Sequence, residues 1–138
     1  MPYPEMLVAP MRAELSQNGF KELKDAESVT TVLDKGEGTQ LLVVNSVCGC
    51  AAGSARPGVL KSLDGNKKPA ELLTVFAGQD AEATAMAREF LLPYPPSSPS
   101  IALFKNGELV HFIERHHIEG RSADMIAASL KAAYEEYC

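Results

Sequence analysis

Some stretches of this chain are apolar at nearly every position and others only at every third or fourth, and the two patterns alternate along it. Gln40–Val47 (QLLVVNSV) and Leu72–Ala77 (LLTVFA) are almost unbroken apolar runs, as expected of strands buried on both faces. Between them, AAGSARPGVLKSLD carries Val59, Leu60 and Leu63 and reads as a helix, with Pro57 inside it as a kink. Upstream, Met11, Leu15 and Phe20 are roughly helix-spaced, which predicts a helix over Pro10–Gln17 that stops at Gly19. Ser28–Leu33 fits a short helix or an extended piece, and Asp34–Gly38 is a loop. Downstream, Asp80-Ala81-Glu82 sets acids at the positive end of a helix over Ala81–Leu91. The segment PYPPSSPS excludes helix and central strand. Ile101–Lys105 and Leu109–Ile113 flank Asn106-Gly107, a strong hairpin signal. Ser122 is the expected N-cap of a terminal helix with Met125, Ile126, Ser129, Leu130, Ala133 and Tyr134 on one face.

The order is βαβ, helix, β-hairpin, helix. A right-handed βαβ crossover gives a parallel pair, and the hairpin extends the same sheet with antiparallel strands. The expected fold is α/β and thioredoxin-like: a mixed central sheet flanked by helices, in a single domain over residues 1–138. A chain of 138 residues buries roughly two thirds of its unfolded surface and needs no disulfide staple. Net charge is −5, and no basic run is interleaved with aromatics, so no nucleic-acid partner is expected. No stretch approaches the ~20 apolar residues of a membrane helix. MPYPEMLVAPMRAEL has no apolar core of signal-peptide length, so a cytoplasmic protein with reduced thiols is expected.

Against that background, VNSVCGCAAGSARPG stands out. Cys48 and Cys50 bracket Gly49 where the first strand gives way to a helix. Side chains at i and i+2 diverge on a helix or strand, so the two sulfurs meet only if the backbone turns sharply, which Gly49 permits. A Cys48–Cys50 disulfide would close a smaller ring than a C-x-x-C pair and be easier to reduce. At the helix start, orphan N–H groups and the dipole favour a thiolate on Cys48, although the dipole alone is worth less than about one pKa unit. Arg56 is the nearest cation in sequence. Alternatives are inert buried cysteines, or a metal site in which Cys138 and His116 or His117 join the pair. Zinc spacing normally needs two close pairs and one exists here, so no metal is expected.

CGCAAGSARPGVLKSL after LLVVNSV, then YPPSSPSIALFKNGELVHFIERHHIEGR and the ending YEEYC, resemble the bacilliredoxin family over nearly the whole chain. The resemblance implies a thioredoxin-like fold, a C-G-C active site, and removal of bacillithiol from mixed disulfides on cytosolic proteins. It implies that Cys48 attacks and that Cys50 resolves the adduct. It sets Pro99 at the cis-proline position, with Ser98 and Pro99 as substrate contacts and Gly49, Asn45, Ser46 and Arg56 around the site. No tightly bound cofactor is implied; bacillithiol is a co-substrate, regenerated by an external reductase. The remaining alternatives are a general protein disulfide reductase or isomerase, and a non-catalytic metal-binding module built on Cys48, Cys50 and Cys138. Cys138 reads as a terminal thiol or an extra resolving cysteine, and Glu114 and Arg115 as a solvated edge.

Overall fold

A computed structural model describes residues 2–138; Met1 lies outside them. The strands are β1 (Lys21–Glu22), β2 (Thr39–Asn45), β3 (Glu71–Phe76), β4 (Ser100–Lys105) and β5 (Glu108–Ile113). The helices are α1 (Glu5–Ser16), α2 (Ala26–Leu33), α3 (Arg56–Ser62), α4 (Ala81–Glu89), α5 (Arg115–Ile118) and α6 (Ala123–Tyr137). The sheet order is β1-β3-β2-β4-β5. β1 and β2 run parallel to β3, whereas β4 pairs antiparallel with β2 and with β5. The mixed sheet of βαβ unit plus hairpin is therefore present as the apolar pattern predicts.

β2 is central, and its side chains alternate between two cores. Leu41 and Val43 pack with Ile101, Leu103, Val59, Ile126 and Leu130 beneath α3 and α6. Leu42 and Val44 pack with Leu73, Val75, Val29, Ala83 and Ala87 beneath α2 and α4. Burial on both faces is why this strand is apolar throughout. α3 and α6 approach closely at Gly58, where a Cβ would stand 2.7 Å from Ile126 Cβ.

Several boundaries differ from the sequence reading, each for a tertiary reason. α1 begins at Glu5, five residues before the expected start, with Pro10 inside it. Its first turn is held by Arg12, buried and paired with Glu5 at 2.9 Å, Asp80 at 2.7 Å and Glu22 at 3.3 Å. That network also draws Asp80 away from capping α4. Ser28–Leu33 belongs to α2, capped by the Asp25 carboxylate, which accepts from the Ser28 N–H at 2.7 Å. β1 was not anticipated: two residues carry no periodicity, and Lys21–Glu22 is a strand because β3 offers it a free edge.

β2 ends at Asn45, two residues before Val47. The Asn45 side chain turns back and accepts from the Ser46 N–H at 2.9 Å, which takes the chain out of the ladder. A π-helical turn at Ala51–Ala55 precedes α3, with the Arg56 N–H reaching Ala51 O. Pro57 follows and has no N–H to give the preceding turn, so the wide turn is the form its distortion takes. On α6, Met125 and Ser129 face outward and Ala127 joins Ile126, Leu130, Ala133 and Tyr134 inside. The expected stripe was rotated: packing on α3 and the sheet selects the side bearing Ala127. Ser122 caps the helix as expected, accepting from the Met125 N–H at 3.2 Å.

Candidate active site

The buried run of β2 delivers Ser46, Val47 and Cys48 to the carboxyl end of the parallel strands, where α/β sheets commonly bind ligands. The chain turns there into the helical segment that continues as α3. Its start brings the two thiols together: Cys48 Sγ and Cys50 Sγ are 2.7 Å apart and both cysteines are free. Gly49 is exposed and its φ is not positive, so the turn does not depend on glycine's left-handed freedom. An added Cβ there would meet nothing within 4 Å. What Gly49 contributes is an uncovered approach to the sulfurs.

The surroundings separate the two thiols chemically. Burial pushes the Cys48 thiol up, but hydrogen bonds from the Cys50 thiol, the Ser46 hydroxyl at 3.4 Å and the Ala51 and Cys50 N–H groups outweigh it, and its pKa falls to about 7. Burial raises Cys50, and the neighbouring Cys48 sulfur raises it further; Arg115 opposes this only in part. Cys48 is thus the thiolate near neutral pH and Cys50 the proton donor beside it. An attacking thiol works best with a pKa near ambient pH.

Ser98 and Pro99 precede β4, and their peptide bond is cis, as the position in this topology suggested. A second cis bond, Leu92–Pro93, was not foreseen. Ser98 shares an open cleft of about 230 Å³ with Ser46, Cys48, Arg88 and Arg115. Pro99 is buried behind it.

Asn45 and Arg56 lie behind the site, 1 % and 3 % exposed. Arg56 Nη1 donates to Asn45 Oδ1 at 2.8 Å and to the Ser46 carbonyl at 2.9 Å, while Nε donates to Glu14 at 2.9 Å. Asn45 Nδ2 donates to Met11 O at 3.2 Å. These two residues hold the Cys48 loop from behind, bordering the site as the resemblance implies.

Sequence reasoning missed Arg88 and treated Arg115 as solvated edge. Both line the cleft, Arg115 donating to the Ser98 carbonyl at 3.2 Å. Helical phase places Arg88 in the last turn of α4, but nothing in the linear pattern joins it to Cys48.

Cys138 is remote. Its thiol, raised by burial, accepts a stabilising contact from Thr39 at the start of β2 and lies near Lys105 and Lys67. Thr39–Asn45 spans roughly 20 Å at about 3.3 Å per residue, and Cys48 lies past its far end. Cys138 can neither resolve an adduct on Cys48 of the same chain nor share a metal with it, so the metal reading with Cys48, Cys50 and Cys138 fails on geometry.

The disulphide isomerase family matches residues 3–138. A bacilliredoxin of Cytophaga hutchinsonii is 66% identical over 134 residues, covering 97% of this chain and 98% of that relative. One of Halalkalibacterium halodurans is 55% identical over 136 residues, covering 99% and 94%. Among solved structures, oxidised mitochondrial thioredoxin 3 of Saccharomyces cerevisiae superposes with a TM-score of 0.57 at 15% identity, over 90% of this chain and 98% of that one. The fold is that of thioredoxin. The chain belongs to the bacilliredoxin family and is a thiol–disulfide oxidoreductase.

Proposed function

We propose that this protein removes bacillithiol from mixed disulfides on cytoplasmic proteins, using Cys48 and Cys50 in succession. The observation that carries this reading is the contact between the two sulfurs, 2.7 Å at an uncovered helix start, with the Cys48 pKa near 7 and that of Cys50 raised. The Cys48 thiolate attacks the bacillithiol sulfur of a client–S–S–bacillithiol bond. The client leaves as thiolate and takes a proton, and bacillithiol stays on Cys48. Cys50, deprotonated as the neighbouring negative charge disappears, then attacks Cys48 Sγ and expels bacillithiol as thiolate, leaving a Cys48–Cys50 disulfide. Two electrons from bacillithiol or an external reductase restore the dithiol. The exchange uses no metal or bound organic cofactor. Gly49, Ser46, Ser98 and the Pro99 turn border the approach, and Ser98 offers a backbone carbonyl beside the site.

Intact mass after mixing with a bacillithiolated client tests this. Wild type is expected to free the client and end as an internal disulfide, two hydrogens lighter than the dithiol. Cys50→Ala is expected to free the client and retain one bacillithiol. If neither takes up the thiol from an accessible client disulfide, the reading fails. The family's isomerase description favours a second reading, general disulfide exchange; equal rates on bacillithiol and glutathione adducts would favour it.

A further inference from the structure

The cleft beside Cys48 is lined by two guanidinium groups and no carboxylate. Arg115 is already engaged, donating to Glu119 and to the Ser98 carbonyl. Arg88 is not: its Nε is buried with no hydrogen-bond partner among the described residues. The contrast with the two buried arginines is informative. Arg12 meets three carboxylates and Arg56 meets one. In a chain of net charge −5, a partly buried arginine left without an acid beside a reactive thiol is a group awaiting an anion, since buried donors are otherwise paired.

We propose that Arg88, assisted by Arg115, receives a carboxylate of the small thiol that becomes bonded to Cys48. This rests on the exchange reaction proposed above and adds the recognition that directs it. In a client–S–S–R disulfide either sulfur could be attacked, and the outcomes differ: attack on R's sulfur frees the client, whereas attack on the client's sulfur traps it on the enzyme. A guanidinium in the cleft holds the carboxylate of R and so sets R's sulfur against Cys48 Sγ. The Cys48 thiolate bonds to that sulfur, the old S–S bond breaks, and its electron pair leaves on the client sulfur, which is protonated from water. A carboxylate on a guanidinium forms charge-assisted, directional hydrogen bonds, which suits this orienting role. The substrate class is therefore mixed disulfides of low-molecular-weight thiols that carry a carboxylate, as bacillithiol and glutathione do.

The test compares one client peptide carried as its glutathione disulfide and as its mercaptoethanol disulfide, which has no carboxylate. Single-turnover release of peptide is followed with the full chain. In wild type the glutathione adduct is expected to react faster, and the ratio of the two rate constants to fall about tenfold in Arg88→Gln, the size of one charge-assisted hydrogen bond. Arg88→Lys, which keeps the charge and loses the fork, should recover part of the ratio. A ratio that is the same in wild type, Arg88→Gln and Arg88→Lys overturns the proposal. Should Arg88→Gln not fold, wild type alone decides: the ratio is expected to drop as salt is raised, and a salt-independent ratio overturns the proposal. If wild type releases peptide from neither adduct, the exchange reading itself fails, and this inference with it.

Discussion

Arg56 Nη1 donates to the backbone carbonyl of Ser46 at 2.9 Å, so the first residue of α3 grips the loop that carries Cys48. The same guanidinium binds Asn45 and Glu14, and it is 3 % exposed. Arg56→Met keeps the aliphatic bulk but strands the Ser46 carbonyl, leaves Asn45 Oδ1 with the Ser46 N–H alone and leaves the Glu14 carboxylate without its partner. A loss of about 3 kcal/mol in urea-unfolding free energy is expected, because breaking a buried charged network leaves unpaired groups behind. Glu14→Gln removes the most exposed partner and is expected to cost about 1 kcal/mol or less. Equal midpoints for Arg56→Met and wild type would show that the grip contributes nothing.

The Cys48 thiol, raised by burial but lowered more by Cys50, Ser46 and two backbone N–H groups, ionises near pH 7. Its alkylation by iodoacetamide is expected to rise with pH to a midpoint near 7 and then level off, since only the thiolate reacts. Cys50→Ala removes the strongest of the stabilising hydrogen bonds and is expected to move the midpoint up; Ser46→Ala should move it up by less. A midpoint that falls in Cys50→Ala would contradict this assignment of cause.

Tyr134 is fully buried, and its hydroxyl lies 3.0 Å from Ser62 Oγ. Burial pushes its pKa up to about 12, with the Ser62 hydrogen bond opposing. The folded state therefore favours the neutral phenol more than the unfolded chain does, whose pKa is about 10. The associated stability is complete below pH 10 and disappears as pH rises from about 10 towards 12, a loss on the order of 2–3 kcal/mol. Thermal midpoints of wild type should drop across that window, and those of Tyr134→Phe should drop less. Below pH 10, Tyr134→Phe itself is expected to cost about 1 kcal/mol through the lost bond to Ser62.

Cys138 sits beside Thr39, at the end of β2 away from Cys48. Cys138→Ser is accordingly expected to leave the single-turnover rate of client release within about twofold of wild type, a change well under 1 kcal/mol. A larger drop would require Cys138 to act from a second molecule, which its dependence on protein concentration would reveal.

The two-sided burial of β2 and β3 was legible in QLLVVNSV and LLTVFA because a central strand leaves no position facing water, and composition alone reports that. The hairpin was legible in Asn106-Gly107: Asn106 and Gly107 both take positive φ, as such a turn requires. The thiol pair was legible from its place between a buried run and a helix. A local signal also marked the cap at Ser122, since a cap is a contact over three residues.

The early start of α1, the strand β1, the phase of α6 and the halt of β2 at Asn45 were decided elsewhere. Arg12 meets Asp80 across 68 positions, Arg56 meets Glu14 across 42, and Lys21 pairs with Leu73 on β3. No periodicity within a window records such meetings. The same holds for the site. By itself the sequence determined the sheet and the place of the paired sulfurs at its strand-to-helix junction. Tertiary structure decided that Asn45 and Arg56 stand behind the site, that Cys138 lies at the far end of the sheet, and that Arg88 and Arg115 enter the cleft. The physical reason is that strand and helix identity follow from which side chains avoid water, whereas partnership between charges depends on how separate elements are stacked.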